Sequence, residues 1–269
     1  MSEPPAAIIL ADSVTKPTGA WIGAVLVSAS HGGVYAAYCA AKAGVRAMIL
    51  NDAGRGKDDA GVGGAAWCDA LGLAYAAIDT MSARIGNAED MAARGAISTV
   101  NEVARTVGVA VGQPVMEAAQ LLTLAPTVTA EIPVYEEART ELPPGPSGRH
   151  VVLADSASLI GPQDVGQVIV CGSHGGMLGT DPMTALKVDG YAAFYNDAGG
   201  GADGAGFSRL PALDDRGIAA GTVAAMSARI GDGRSTYEDG VLSRVNETAK
   251  RLGGAEGMAL KDFAQRLIA

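Results

Sequence analysis

The chain of 269 residues repeats itself, and this limits its architecture more than any single motif does. ILADS at 9–13 returns as VLADS at 152–156, and SHGG at 30–33 returns at 173–176, both displaced by 143 positions. LNDAG at 50–54 returns as YNDAG at 195–199, MSARIG at 81–86 returns unchanged at 226–231, and VNE at 100–102 returns at 245–247. These three are displaced by 145, so the second copy carries two additional residues between SHGG and NDAG. Even the last helical stretch agrees, with Ala119-Gln120 matching Ala264-Gln265. Likeness over nearly the whole of both halves marks a duplicated folding unit. The first α/β repeat is assigned to 1–122, the second to 151–269, and 123–150 to a linker or arm. The end of that segment, PPGPSG, disfavours regular structure, while TVTAEIPVY before it fits a strand or an extended arm.

Within one copy, AAIILADSV and GAVLVSAS read as short buried strands, the second ending at His31. GGVYAAYCAAKAG reads as an alanine-rich helix closed by Gly44, and VRAMILND as another strand. A glycine-rich loop follows, then a helix through Leu71 stopped by Gly72, the strand LAYAAID, and a long helix from about Asn87 to Val107. Strands alternating with helices predict a mostly parallel sheet covered on both faces. The expected fold class is therefore α/β, a tandem duplication of a three-layer α/β/α half, with the halves related by a pseudo-two-fold axis.

Hydrophobic residues make up 48% and charged residues 18%, with two tryptophans, seven tyrosines and three phenylalanines, so the core must be aliphatic and glycine-tightened. The net charge of −9, without a basic patch interleaved with aromatics, argues against nucleic acid and anionic membranes as partners. No apolar run reaches the length of a membrane span, and MSEPPAA lacks a basic signal-peptide start, so a cytoplasmic location is expected. Cys39, Cys68 and Cys171 are odd in number and lack CxxC spacing, which argues against a disulfide framework and a structural zinc site.

Ligands of open parallel sheets sit beyond the carboxyl ends of the strands, and the repeated polar tags all fall there. His31 and His174, each after a serine and before two glycines, fit a general base. Gly32, Gly33, Gly175 and Gly176 permit close backbone approach and could turn N–H groups toward an anion. Asp52 and Asp197 end the next strand, where a carboxylate could orient the imidazole; the alternative is an Asx turn or helix cap. Asn51 and Asn196 fit turn or substrate-orienting amides. Ser30 and Ser173 neighbour the histidines but point to the opposite face of the strand, and Ser82 and Ser227 in MSARIG are equally plausible nucleophiles. Arg84 and Arg229 fit a bidentate clamp on a substrate carboxylate, or an ion pair with Asp52, Asp197, Glu102 or Glu247.

Asp12 and Asp155, with the histidines, have the donor chemistry of a divalent-metal site, but no compact ligand spacing is present and no cofactor is expected. SVTK at 13–16 is answered by SASL in the second copy, and GRGKDDAGVGG lacks the frame of a Walker A loop. The copies differ: Lys57, Asp59, Asp79 and Thr80 stand where the second has Ala202, Gly204, Ala224 and Ala225. The first is thus chemically richer, with Lys57 a further binding candidate.

VIVCGSHGGMLGTD, a strand ending in His-Gly, resembles the histidine segment of the caspase-like cysteine peptidases over about thirty residues per half. The resemblance implies a three-layer α/β half. It does not imply peptidase activity, because the next strand ends read LNDAGRG and YNDAGGG, with no cysteine.

These features together point to a small-molecule hydrolase acting on a carboxylate-bearing amide, imide or ester. It would use a His/Asp-assisted serine or water nucleophile and an arginine clamp, in a site at the junction of the repeats. The alternatives are a lyase or isomerase abstracting a proton next to a carboxylate, and a non-catalytic small-molecule binding module. A homo-oligomer is the base-rate expectation.

Overall fold

The computed structural model describes residues 6–179 and 181–269, which divide into two compact units. Of the described residues, the first comprises those of Met1–Gly54, Ala60–Tyr135 and Gly201–Asp203, and the second those of Arg55–Asp59, Glu136–Gly200 and Gly204–Ala269.

In the first unit the elements follow as β1 (Ile8–Ala11), β2 (Val25–His31), α1 (Val34–Lys42), β3 (Ala47–Asn51), α2 (Gly64–Leu71), β4 (Ala74–Ile78), α3 (Ala88–Arg94), β5 (Ile97–Val100), α4 (Glu102–Thr106) and α5 (Val115–Leu122). The sheet order is β1-β2-β3-β4-β5, parallel except for the β4–β5 pair. Because successive strand residues face opposite ways, Val25, Val27, Ile49, Ala76 and Ile78 pack against α3, α4 and α5, whereas Leu26, Met48, Leu50 and Tyr75 pack against α1 and α2. The half is three-layered, α/β/α. Val128 and Ile132 also pack on the α1/α2 side, with Tyr135 in ring contact with Tyr35 and Tyr38.

The second unit contains β6 (Arg139–Glu141), β7 (Val151–Ala154), β8 (Val168–His174), β9 (Ala192–Asn196), α6 (Arg209–Asp215), β10 (Ala219–Val223), α7 (Gly233–Asp239), β11 (Leu242–Val245), α8 (Glu247–Arg251) and α9 (Leu260–Leu267). Its sheet runs β11-β10-β9-β8-β7-β6, with β7 to β10 parallel and both edge strands antiparallel. Where the first unit has α1, the described residues of 177–190 form only a 3-10 turn at Pro182–Ala185. Gly179 with φ +68, Pro182 and Gly190 interrupt any helix there, and Ala185, Leu186 and Val188 fill the space instead.

The long helix expected from Asn87 to Val107 is broken. It is replaced by α3, the strand β5 and α4. Gly95 leaves α3 in extended backbone, and a Cβ there would meet the Met91 carbonyl at 2.6 Å and Val115 at 2.7 Å. The β-branched Ile97, Thr99 and Val100 then favour a strand, and Asn101 restarts the helix. No helix among the described residues is long and apolar enough to cross a membrane.

The repeated VNE tag is explained by the joint between β4 and α4. Asn101 is buried; its Oδ1 accepts from Ala104 N–H at 2.9 Å and Tyr75 N–H at 3.0 Å, and its Nδ2 donates to the Leu73 carbonyl at 2.8 Å. Asn246 makes the matching bonds with Ala249, Ala220 and Ile218. Removing either amide loses a helix cap and strands two backbone groups in the core. Asn101→Ala is expected to destabilise by about 3 kcal/mol and Asn246→Ala by a similar amount. Urea denaturation measures both, and losses below about 0.5 kcal/mol, the scale of an ordinary surface substitution, would refute the assignment.

Candidate functional site

The imidazoles of His31 and His174 terminate β2 and β8, each opposite an asparagine at the end of the neighbouring strand, Asn51 and Asn196. His31 is 9% exposed. Its Nδ1 accepts the N–H of Gly33 at 3.2 Å, and Nδ1 of His174 accepts that of Gly176 at 3.1 Å. Burial pushes the His31 pKa down to about 4, so the ring is neutral near pH 7. A neutral imidazole that accepts at Nδ1 carries its proton on Nε2. In His31, Nδ1 is thus occupied as an acceptor and Nε2 is the protonated edge, for which the described residues offer no hydrogen-bond partner.

The glycines after it do not form an anion nest. Gly32 N–H donates to the Asn51 carbonyl at 2.6 Å, Gly175 N–H to the Asn196 carbonyl at 2.7 Å, and the N–H groups of Gly33 and Gly176 are taken by the imidazoles. Their smallness serves packing. A Cβ on Gly32 would lie 2.1 Å from the Tyr75 hydroxyl, which donates to the Gly32 carbonyl, and one on Gly175 would lie 2.3 Å from the Gly206 carbonyl.

The two aspartates that end the next strands make Asx turns. Asp52 Oδ1 accepts Gly54 N–H and Thr80 N–H, both at 2.9 Å, and Oδ2 accepts the Ser98 hydroxyl at 2.8 Å. Asp197 Oδ1 accepts Gly199 and Ala225 N–H, again at 2.9 Å. Among the described residues Asp52 forms no hydrogen bond with His31, and both aspartates take the Asx-turn alternative. Burial, partly offset by the Ser98, Thr80 and Gly54 hydrogen bonds, raises the Asp52 pKa. Asn51 and Asn196 accept from Ala53 and Ala198 N–H, which holds both alanines in the left-handed region at φ +50 and +51. Such backbone persists where its surroundings over-determine it.

The candidate serines are tied into the scaffold. Ser30 and Ser173 accept the N–H groups of Val14 and Ala157. Ser82 donates to the Asp79 carbonyl at 2.6 Å and accepts Ala96 N–H; Ser227 does the same with Ala224 and Val241. Among the described residues His31 forms no hydrogen bond with any of the four.

The arginines are committed to carboxylates, though not to those named from the sequence. In the first unit Arg84 Nε lies 2.9 Å from Asp203 Oδ2, and Arg94 bonds both Asp90 and Asp203. In the second, Arg229 binds Asp232 at 2.9 Å and Asp58 at 3.2 Å, and Lys57 binds Asp239 at 2.9 Å. Asp58 and Asp203 are matched positions of the repeat, so each unit closes the same ion pair. Asp12 and Asp155 accept the N–H groups of Ala88 and Gly233. Among the described residues no group of three or more His, Cys, Asp or Glu is placed to hold a metal ion.

Sequence reasoning missed Tyr75, Ser98 and Arg209, a buried cation that bonds the carbonyls of Gly176, Thr184 and Ala185. Only Ser98 carried a signal, since a serine recurs at 243. Neither the family models, the curated proteins nor the solved structures compared with this chain contain a match.

The buried neutral ring has a thermodynamic consequence. In the unfolded chain His31 takes up a proton near pH 6.5, in the folded one near 4, so the unfolded state binds more protons in between. Stability is fully present above about pH 6.5 and falls as pH drops through about 4, by about 3 kcal/mol from this group. Asp52, with a raised pKa, acts in the opposite sense and is common to both proteins compared. Denaturation curves at several pH values should show a shallower acid limb in His31→Gln than in the wild type. Identical limbs would mean that the ring is charged in the fold.

Proposed function

We propose that the chain is an enzyme acting on a small molecule, a hydrolase of an amide, imide or ester. In this reading His31 donates from Nε2 to the carbonyl oxygen that becomes an oxyanion. The observation that carries it is the Gly33 N–H bond to Nδ1, which leaves the protonated Nε2 edge at the end of a parallel strand while the neighbouring serines, aspartates and arginines have partners. A neutral donor in a dry site stabilises a developing oxyanion without giving up its proton. The ring's lowered pKa keeps it in that form through the ordinary pH range.

Water serves as the nucleophile, because both hydroxyl pairs are bound to the backbone. The substrate need not carry a carboxylate: Arg84 and Arg229 would have to leave Asp203 and Asp58 to clamp one. The partner in this reading is a small molecule only.

The test is a panel of small amides, imides and esters, followed by mass spectrometry, with wild type beside His31→Ala. The wild type is expected to convert a compound with a gain in mass of one water, and His31→Ala to lose about 100-fold or more in kcat. The pH profile of kcat/KM should lack a limb near 6.5. Products lacking the elements of water would favour a lyase, and stoichiometric retention of a compound without turnover would favour a binding module.

A further inference from the structure

We infer that the first repeat is the working half of this duplicated chain, that Asp52 is its proton acceptor, and that Ser98 positions Asp52 through a contact the second repeat has lost. The inference rests on the reading of His31 above and adds to it the partner group and the repeat in which it acts.

The argument is a comparison of matched positions. Asp52 and Asp197 are held alike at Oδ1, each by two backbone N–H groups. They differ at Oδ2. In the first unit the Ser98 hydroxyl donates to Oδ2 of Asp52 at 2.8 Å and lies 3.3 Å from the Ala77 carbonyl. In the second unit Ser243 keeps the same distance, 3.3 Å, to the matching carbonyl of Thr222, but its hydroxyl lies 3.0 Å from the Thr222 hydroxyl. Among the described residues no side chain donates to Oδ2 of Asp197. One difference accounts for this: position 77 is alanine and offers no competing hydroxyl, while position 222 is threonine. The neighbouring residues agree, since Asp79 and Thr80 of the first copy are alanines in the second.

Asp52 is 5% exposed and ends the strand beside the one that carries His31. The Ser98 bond fixes the carboxylate plane and leaves Oδ2 a second lone pair. Burial strengthens its hold on a proton, which suits a base. The step balances with water as the only co-reactant. Asp52 takes a proton from water as the water oxygen bonds to the carbonyl carbon, and the carbonyl π electrons move to the oxygen held by His31 Nε2–H. Collapse restores the C=O bond and breaks the bond to nitrogen or oxygen. The leaving group takes the proton from Asp52, giving an acid and an amine, an amide or an alcohol.

The experiment compares Asp52→Asn, Asp197→Asn, Ser98→Ala and Ala77→Thr in the full chain, on whichever amide, imide or ester the wild type hydrolyses. Asparagine can still accept the two N–H bonds at Oδ1, so Asp52→Asn should fold, which thermal unfolding checks. Its kcat is expected to fall at least 100-fold further than that of Asp197→Asn. Independently of activity, carbon-13 NMR titration of the Asp52 carboxyl should move to higher pH in Ser98→Ala and, by diversion of Ser98, in Ala77→Thr. The acid limb of kcat/KM should move with it. Equal losses in the two asparagine variants, or an Asp52 titration unmoved by Ser98→Ala, would overturn the inference while leaving His31 in place. Full turnover by His31→Ala would instead overturn the reading on which it rests, and no turnover by the wild type would overturn both.

Discussion

The backbone N–H of Gly33, aimed at Nδ1 of His31, is the contact on which the functional reading depends. It selects one of two tautomers, and burial keeps the ring uncharged, so one 3.2 Å contact decides that the Nε2 edge donates. The contact also explains why two glycines follow the histidine. A Cβ on Gly33 would lie 2.9 Å from Nδ1 and 3.0 Å from the Ala60 carbonyl, so a side chain there would displace the ring. The repeated SHGG is therefore a device for setting an imidazole, and the anion nest it resembles on paper has no open N–H groups.

The same logic applies to the other repeated polar tags. Where strands of a parallel sheet end together, the turns that leave them carry N–H groups without sheet partners, and each must find an acceptor. Asp12, Asn51, Ser82 and Asn101 are those acceptors in the first unit, Asp52 joins them through Oδ1 alone, and their repeats play the same part in the second. A row of Asp, Asn and Ser at strand ends looks like an active site in a sequence because the residue types that cap backbone are also those that perform catalysis. What separates the two is whether the polar atoms are already used, and that needs coordinates.

The fold was more legible than the site. Repetition, short apolar runs and glycine stops located β2, α1, β3, α2 and β4 and the mostly parallel, layered architecture, since these signals are local. The long helix predicted over 87–107 failed because its pattern of alanines and spaced apolar residues hid a four-residue strand, and the decisive restraint at Gly95 comes from Met91 and Val115 in space. The sequence left Arg84 between a substrate clamp and an ion pair with Asp52, Asp197, Glu102 or Glu247, and the partner it has, Asp203, lies 119 positions away. Ser98 was invisible as a partner of Asp52 because only the antiparallel pairing of β5 with β4 brings it there.

The two halves solve one packing problem differently. In the first unit α1 lies over α2, and a Cβ on Gly64 would meet Ala37 of α1 at 2.8 Å and the Gly32 carbonyl at 2.7 Å, so only glycine fits. The Tyr75 hydroxyl serves that carbonyl. In the second unit the matched residues are Arg209 and Ala220, and the irregular segment that replaces α1 leaves carbonyls without helical partners. The Arg209 guanidinium fills the vacated space, binds three of those carbonyls and stacks 4.8 Å over the Tyr195 ring. Helix and glycine go together in one half, loop and arginine in the other. The divergence of the second copy is thus a coupled rebuilding around a retained imidazole.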